Sequence, residues 1–157
     1  MIICLDIDDC IFLNSNTWVC DMADNMDMLE INLKRLQKIL DFYSAKIVIT
    51  SSWSTQLKLE NSNIIYDNPA YGLPNKIYYD EEFKAFQLLE KYLNGYVIGL
   101  SGGNRFKDIR KLLEQNHKVI AIDDSDLSEI EDDNYLYLRV DGFITNKDLY
   151  RIYNFMK

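Results

Sequence analysis

Three aspartates, Asp6, Asp8 and Asp9, interrupt the apolar opening run "MIICLDIDDCIF". Ile2, Ile3, Cys4 and Leu5 show no polar alternation and are too few for a helix with its own face, so they read as a buried strand. Carboxylates do not belong inside such a strand. They stand where it ends, as a solvated turn or as chemistry. A second acidic pair, Asp123 and Asp124 in "IAIDDS", follows another apolar run. Thr50 closes a third, "AKIVIT", with Ser51 and Ser52 next, and Lys107 lies near the third crossover, ahead of the run that ends at Ile122. In a parallel α/β sheet, ligands bind outside the carboxyl ends of the strands, so these residues would converge. Carboxylates brought together from two strands repel unless a cation compensates, and magnesium prefers carboxylate, carbonyl and water oxygens. A hydroxyl and an ammonium beside such a metal suit a phosphoryl group.

The elements that position these groups follow from periodicity. Leu29, Leu33, Leu36, Leu40 and Tyr43 alternate spacings of four and three, which predicts an amphipathic helix over 27–43 with Asp27 and Glu30 placed as a capping box. Residues 45–50, 96–100, 119–122 and 135–140 read as further strands. Helices are expected over 80–93, from about 106 to 116, and from a Thr145–Asp148 cap through Met156. Strands alternating with helices predict an α/β fold, a Rossmann-like three-layer sandwich with a mostly parallel sheet of about five strands. The stretch 52–79, with Pro69 and Pro74, is the least regular and reads as a lid or a packed loop.

At 157 residues and 48% hydrophobic, the chain suits a single domain over 1–157, with no room for a large cap. Only a flap at about 9–26 and the 52–79 loop remain to cover a ligand. A net charge of -8 argues against an extended nucleic-acid surface, while a short or single-nucleotide ligand stays open. Cys4, Cys10 and Cys20 are odd in number and lack metal-type spacing, so reduced thiols and a cytoplasmic location are expected. The opening run has no basic flank, and no segment approaches membrane-spanning length, so no signal peptide and no membrane partner are expected.

"LDIDDCI", "IVITS", Lys107 and "IAIDDS", in this order, resemble the four motifs of haloacid dehalogenase-like (HAD-like) phosphatases. The resemblance spans roughly residues 1–126. It implies Asp6 as nucleophile, forming an aspartyl-phosphate, and Asp8 as the acid that protonates the leaving oxygen and then deprotonates water. It implies Mg2+ held by Asp6, the backbone carbonyl of Asp8, and Asp123, with Asp124 in direct or water-mediated support. Thr50, Ser51 and Lys107 would hold phosphoryl oxygens, and Lys107 would restrain Asp6. The family usually places glycine after the second aspartate, where Asp9 stands here, so Asp9 must tolerate a tight turn or the turn differs. "TSSW", "YGLP" and "DGFITNKDLYRI" are similar to small capless members found with RNA-repair enzymes.

The function expected is therefore a magnesium-dependent phosphohydrolase acting on a nucleotide, a nucleic-acid end or another small phosphoester. A metabolite phosphatase and a catalytically inactive binding module on the same fold are the alternatives. A phosphate-accepting signalling receiver also combines an acidic cluster, a hydroxyl and a lysine, but puts its acceptor after the third strand, where Leu100 and Ser101 stand. "SGGN" at 101–104 reads as a turn rather than a phosphate cradle. Trp53 and Trp18 suit either base stacking or packing beneath a loop.

Overall fold

A computed structural model describes residues 1–12, 22–67, 76–101 and 103–157. Among these residues there are seven strands and four helices: β1 Ile2–Leu5, α1 Met22–Tyr43, β2 Lys46–Ile49, β3 Leu57–Glu60, β4 Asn63–Tyr66, α2 Lys76–Leu93, β5 Val97–Leu100, α3 Arg105–Glu114, β6 Val119–Asp123, β7 Tyr135–Arg139 and α4 Asn146–Met156. A short 3-10 helix, Ser52–Gln56, joins β2 to β3.

Five strands form a wholly parallel sheet in the order β5-β2-β1-β6-β7. β1 lies at its centre, paired with β2 and β6, so its carboxyl end meets theirs. Side chains alternate across a strand, and the core divides accordingly. Ile3 and Leu5 join Ile47, Ile49, Ile120 and Ile122 in a cluster with the apolar stripes of α1, α2 and α4. Cys4 turns the other way, with Val119 and Ala121, against Ile109 of α3. The fold is the expected α/β, Rossmann-like sandwich, and among the described residues nothing forms a large cap. No described helix is long and apolar enough to cross a membrane. Cys4 and Cys10 are free and buried, and burial pushes the Cys4 thiol up to about 12.

Three boundaries differ from expectation. α1 starts at Met22, so Asp27 and Glu30 lie inside the helix and form no cap. Glu30 instead pairs with Lys34 at 3.4 Å and with Lys91 of α2 at 3.2 Å, tying the two helices together. α2 begins at Lys76, four residues before the expected Asp80. α3 begins at Arg105, because Asn104 accepts from Lys107 N at 3.1 Å and caps the helix there. The Thr145–Asp148 capping box forms as expected.

The described part of 52–79 contains an antiparallel hairpin, β3–β4, that periodicity did not reveal. Its two-residue turn, Asn61 and Ser62, has φ values of 51° and 64°, the positive pair that a type I′ turn requires. Tyr66 stacks on Phe86 of α2 with ring centroids 4.2 Å apart. Trp53 is buried, 5.3 Å from Phe12 and 5.1 Å from Phe86. Trp53 is thus a packing residue, not a stacking platform. Trp18 lies outside the described residues, as do 13–21 and 68–75 of the two covering segments.

Candidate functional site

The carboxyl ends of β1, β2 and β6 bring Asp6, Thr50 and Asp123 together. Backbone pairing carries each strand one residue onward: Asp6 N donates to Ile122 O at 2.9 Å and Thr50 N to Leu5 O at 2.9 Å. Asp6, Thr50, Ser51 and Asp123 are all buried, while Asp8 and Asp124 are half-buried. Carboxylate oxygens of Asp6, Asp123 and Asp124 lie within 4.8 Å of one another.

That proximity is electrostatically costly. Burial above all pushes the Asp6 carboxyl up to about 7; the Arg105 guanidinium opposes this, the Asp123 charge adds to it, and hydrogen bonds from Ile7 N and the Ser51 hydroxyl oppose it. Burial also raises Asp123, against hydrogen bonds from Ser125 and the charge of Arg105. Ser125 N reaches Asp123 Oδ1 at 2.8 Å. Ser51 serves the site in two ways: its hydroxyl bonds Asp6 and accepts from Trp53 N at 3.3 Å, fixing the turn that follows β2.

The cation that compensates is Arg105. Its Nη1 lies 2.6 Å from Asp123 Oδ1, its Nη2 lies 3.2 Å from Asp6 Oδ1, and its Nε donates to Thr50 O at 3.2 Å. One guanidinium thus spans residues that end β1, β2 and β6, using the planar fork that a lysine lacks. Lys107 is exposed and lines an outer groove with Phe106, Arg110 and Lys111, so the structure does not bring it to the carboxylates. The reason is helical phase. With Asn104 as cap, Arg105 takes the first helical position at the strand ends, and the backbone turns Lys107 outward.

Asp8 and Asp9 sit in a compact turn. Ile7 O accepts from Ile11 N at 3.1 Å and Phe12 N at 3.0 Å, and Asp9 N donates to Phe12 O at 2.8 Å. Asp9 adopts φ 57°, so aspartate fills the left-handed place that usually takes glycine. "SGGN" ends as a helix cap: Ser101 Oγ bonds Asp108 and Asn104 caps α3, while Gly102 lies outside the described residues.

The donor set fits a hard divalent cation. Its atoms are all carboxylate oxygens from strand ends, and Asp6 Oδ1 is buried without a hydrogen bond, its contact with Arg105 being an ion pair lacking that alignment. Asp6 and Asp8 after the central strand, Thr50 after one neighbour and Asp123 with Asp124 at the end of the other follow the motif order that the sequence shares with HAD-like phosphatases. Residues 2–145 match the family described as the HAD domain in Swiss Army Knife RNA repair proteins, and the chain belongs to that family. No curated protein and no solved structure matches it. Family membership supports a phosphohydrolase-type function in general.

Proposed function

We propose that this chain is a metal-dependent phosphatase that removes a terminal phosphate from a nucleic-acid end. The observation that carries the reading is the Asp6–Asp123–Asp124 cluster at the carboxyl edge of the central strands, in which Arg105 bridges the two buried members, Asp6 and Asp123. Asp6 attacks phosphorus in line with the departing oxygen, and its carboxylate becomes the acyl phosphate. Asp8 gives its proton to the leaving oxygen as the P–O bond breaks, then takes a proton from the water that cleaves the acyl phosphate. Arg105 and Thr50 hold the equatorial oxygens, and Ser51 fixes Asp6. Mg2+ bound by Asp6, the Asp8 carbonyl, Asp123 and Asp124 would supply charge neutralisation between nucleophile and phosphate.

Two features favour a nucleic-acid end over a small metabolite. One is the family, whose description ties the domain to RNA repair. The other is α3, which starts at the site with Arg105 and continues outward with Lys107, Arg110 and Lys111, all exposed and, among the described residues, without ion pairs. In a chain of net charge -8 this is a short cationic face, suited to one or two phosphates adjoining the reacting one. The test is phosphate release, with Mg2+, from oligonucleotides bearing 3′ or 5′ phosphates, set beside nucleotides and sugar phosphates. A sugar phosphate preferred tenfold or more would replace this reading with a metabolite phosphatase.

A further inference from the structure

We propose that Asn32 of α1 is a positioning residue for the reaction: it holds the turn that carries Asp8, and so sets where the acid's proton is delivered. The inference rests on the phosphatase reading above.

Asn32 occupies the apolar stripe of α1 beside Leu29, Leu33 and Leu36, and is as completely buried as they are. A side-chain amide there is costly unless satisfied, and this one is. Its Nδ2 donates to Ile11 O at 3.0 Å and to Gly142 O at 2.8 Å, while its Oδ1 accepts from Ile144 N at 2.9 Å. Every one of these partners is backbone, and the partners belong to two loops more than a hundred residues apart in the chain. The loops also bond directly, Gly142 N to Cys10 O at 2.6 Å.

The two ends of the Asp8 turn are thereby fixed. Its start is anchored in the sheet through β1. Its far side, Cys10 and Ile11, is anchored by Asn32 and by the loop after β7. That loop is itself gripped by α1, where the Arg35 guanidinium bonds Ile144 O and lies 4.4 Å from the Phe143 ring centroid. Gly142 has φ 91°, a conformation that suits glycine and aims its N–H and C=O at Cys10 and Asn32. Proton transfer is sensitive to donor placement on the scale of an ångström, so releasing one side of the turn should blunt Asp8 without disturbing the Asp6–Asp123–Arg105 cluster on the sheet.

A purely structural asparagine would lower all activity alike, whereas a residue acting through Asp8 matters in proportion to the leaving group's need for a proton. The test compares p-nitrophenyl phosphate, whose leaving oxygen needs little protonation, with a nucleoside monophosphate, whose alkoxide needs much. Asn32→Asp and Asn32→Leu should lose about thirtyfold or more in kcat on the nucleoside monophosphate and less than about fivefold on the aryl phosphate, with KM little changed. Asp8→Asn should show the same selectivity, and adding Asn32→Leu to it should cost no more than about twofold further. Gly142→Ala, which strains the same tie from the other loop, gives the same readout if the Asn32 variants do not fold. Equal loss on both substrates in a folded Asn32 or Gly142 variant overturns the inference while leaving the phosphatase reading intact, provided Asp8→Asn is selective. Loss without selectivity in Asp8→Asn overturns Asp8 as the acid, and this inference with it.

Discussion

The Arg105 guanidinium bonds Asp123 Oδ1 at 2.6 Å, joining the first residue of α3 to the last residue of β6 across the whole intervening crossover. Because the same group also reaches Asp6 and the Thr50 carbonyl, it is the cation built into the acidic cluster.

Arg105→Ala is therefore expected to lower kcat/KM on an aryl phosphate by about 10²-fold or more, in line with the loss of a positioned charge at a phosphoryl site. Arg105→Lys should recover only part of it, since an ammonium cannot span Asp6, Asp123 and Thr50 together. Lys107→Ala should cost at least about tenfold less than Arg105→Ala. Steady-state kinetics of the three variants decides the matter, and a larger loss at Lys107 would transfer the role back to that residue.

Metal-free stability should fall as pH rises. The folded Asp6 carboxyl is raised to about 7 while an unfolded one titrates near 3.8, so the native state holds more protons between those values. Stability attributable to Asp6 is then greatest below about pH 4 and is lost progressively up to about pH 7. In chelator, Asp6→Asn should flatten that slope and raise stability at pH 8 by about 1–3 kcal/mol. Urea melts at pH 5 and pH 8 measure it; a mutant less stable than wild type at pH 8 would contradict the buried-repulsion argument.

Divalent cation should stabilise the wild-type fold. At about a hundredfold excess over Kd, binding contributes about 2.7 kcal/mol, or about 5–10 °C in Tm for a chain of this size. Asp123→Asn should remove most of that shift. A thermal-shift titration with MgCl2 shows it without any substrate, and an unchanged Tm in the wild type would remove the metal assignment.

The cationic face of α3 should matter for length of substrate. Lys107→Glu combined with Lys111→Glu is expected to raise KM for a phosphorylated oligonucleotide about tenfold, with a shallower salt dependence than wild type. A KM unaltered by the double change would exclude α3 as the path of the strand.

The site was legible in the sequence wherever a strand end announced it. Asp6, Thr50, Asp123 and Asp124 each follow a short β-rich run, and parallel topology makes such ends meet. Arg105 was not legible, because "NRFKDIRK" offers several cations and only the cap at Asn104 sets the helical phase that turns one of them inward. Asn32 carried a signal that periodicity passes over, namely an amide standing on an apolar stripe between Leu29 and Leu33. The β3–β4 hairpin escaped because "LKLE" and "NIIY" are short and their turn is Asn61-Ser62 rather than an asparagine–glycine pair. The same hairpin explains Trp53: burying Leu57 and Ile64 against α2 leaves the indole between Phe12 and Phe86 instead of facing a ligand.

If Asp6 takes the phosphoryl group, a single-turnover reaction should trap that group on its carboxylate. Enzyme in excess over a 5′- or 3′-phosphorylated oligonucleotide, with Mg2+, is quenched in acid and its peptides are mapped by mass spectrometry. The expected result is a phosphoryl adduct on the peptide at Asp6 that rises and decays during the turnover and is absent from Asp6→Asn, which releases no phosphate. Phosphate release by Asp6→Asn at the wild-type rate, or an adduct on any other residue, would exclude Asp6 as the nucleophile.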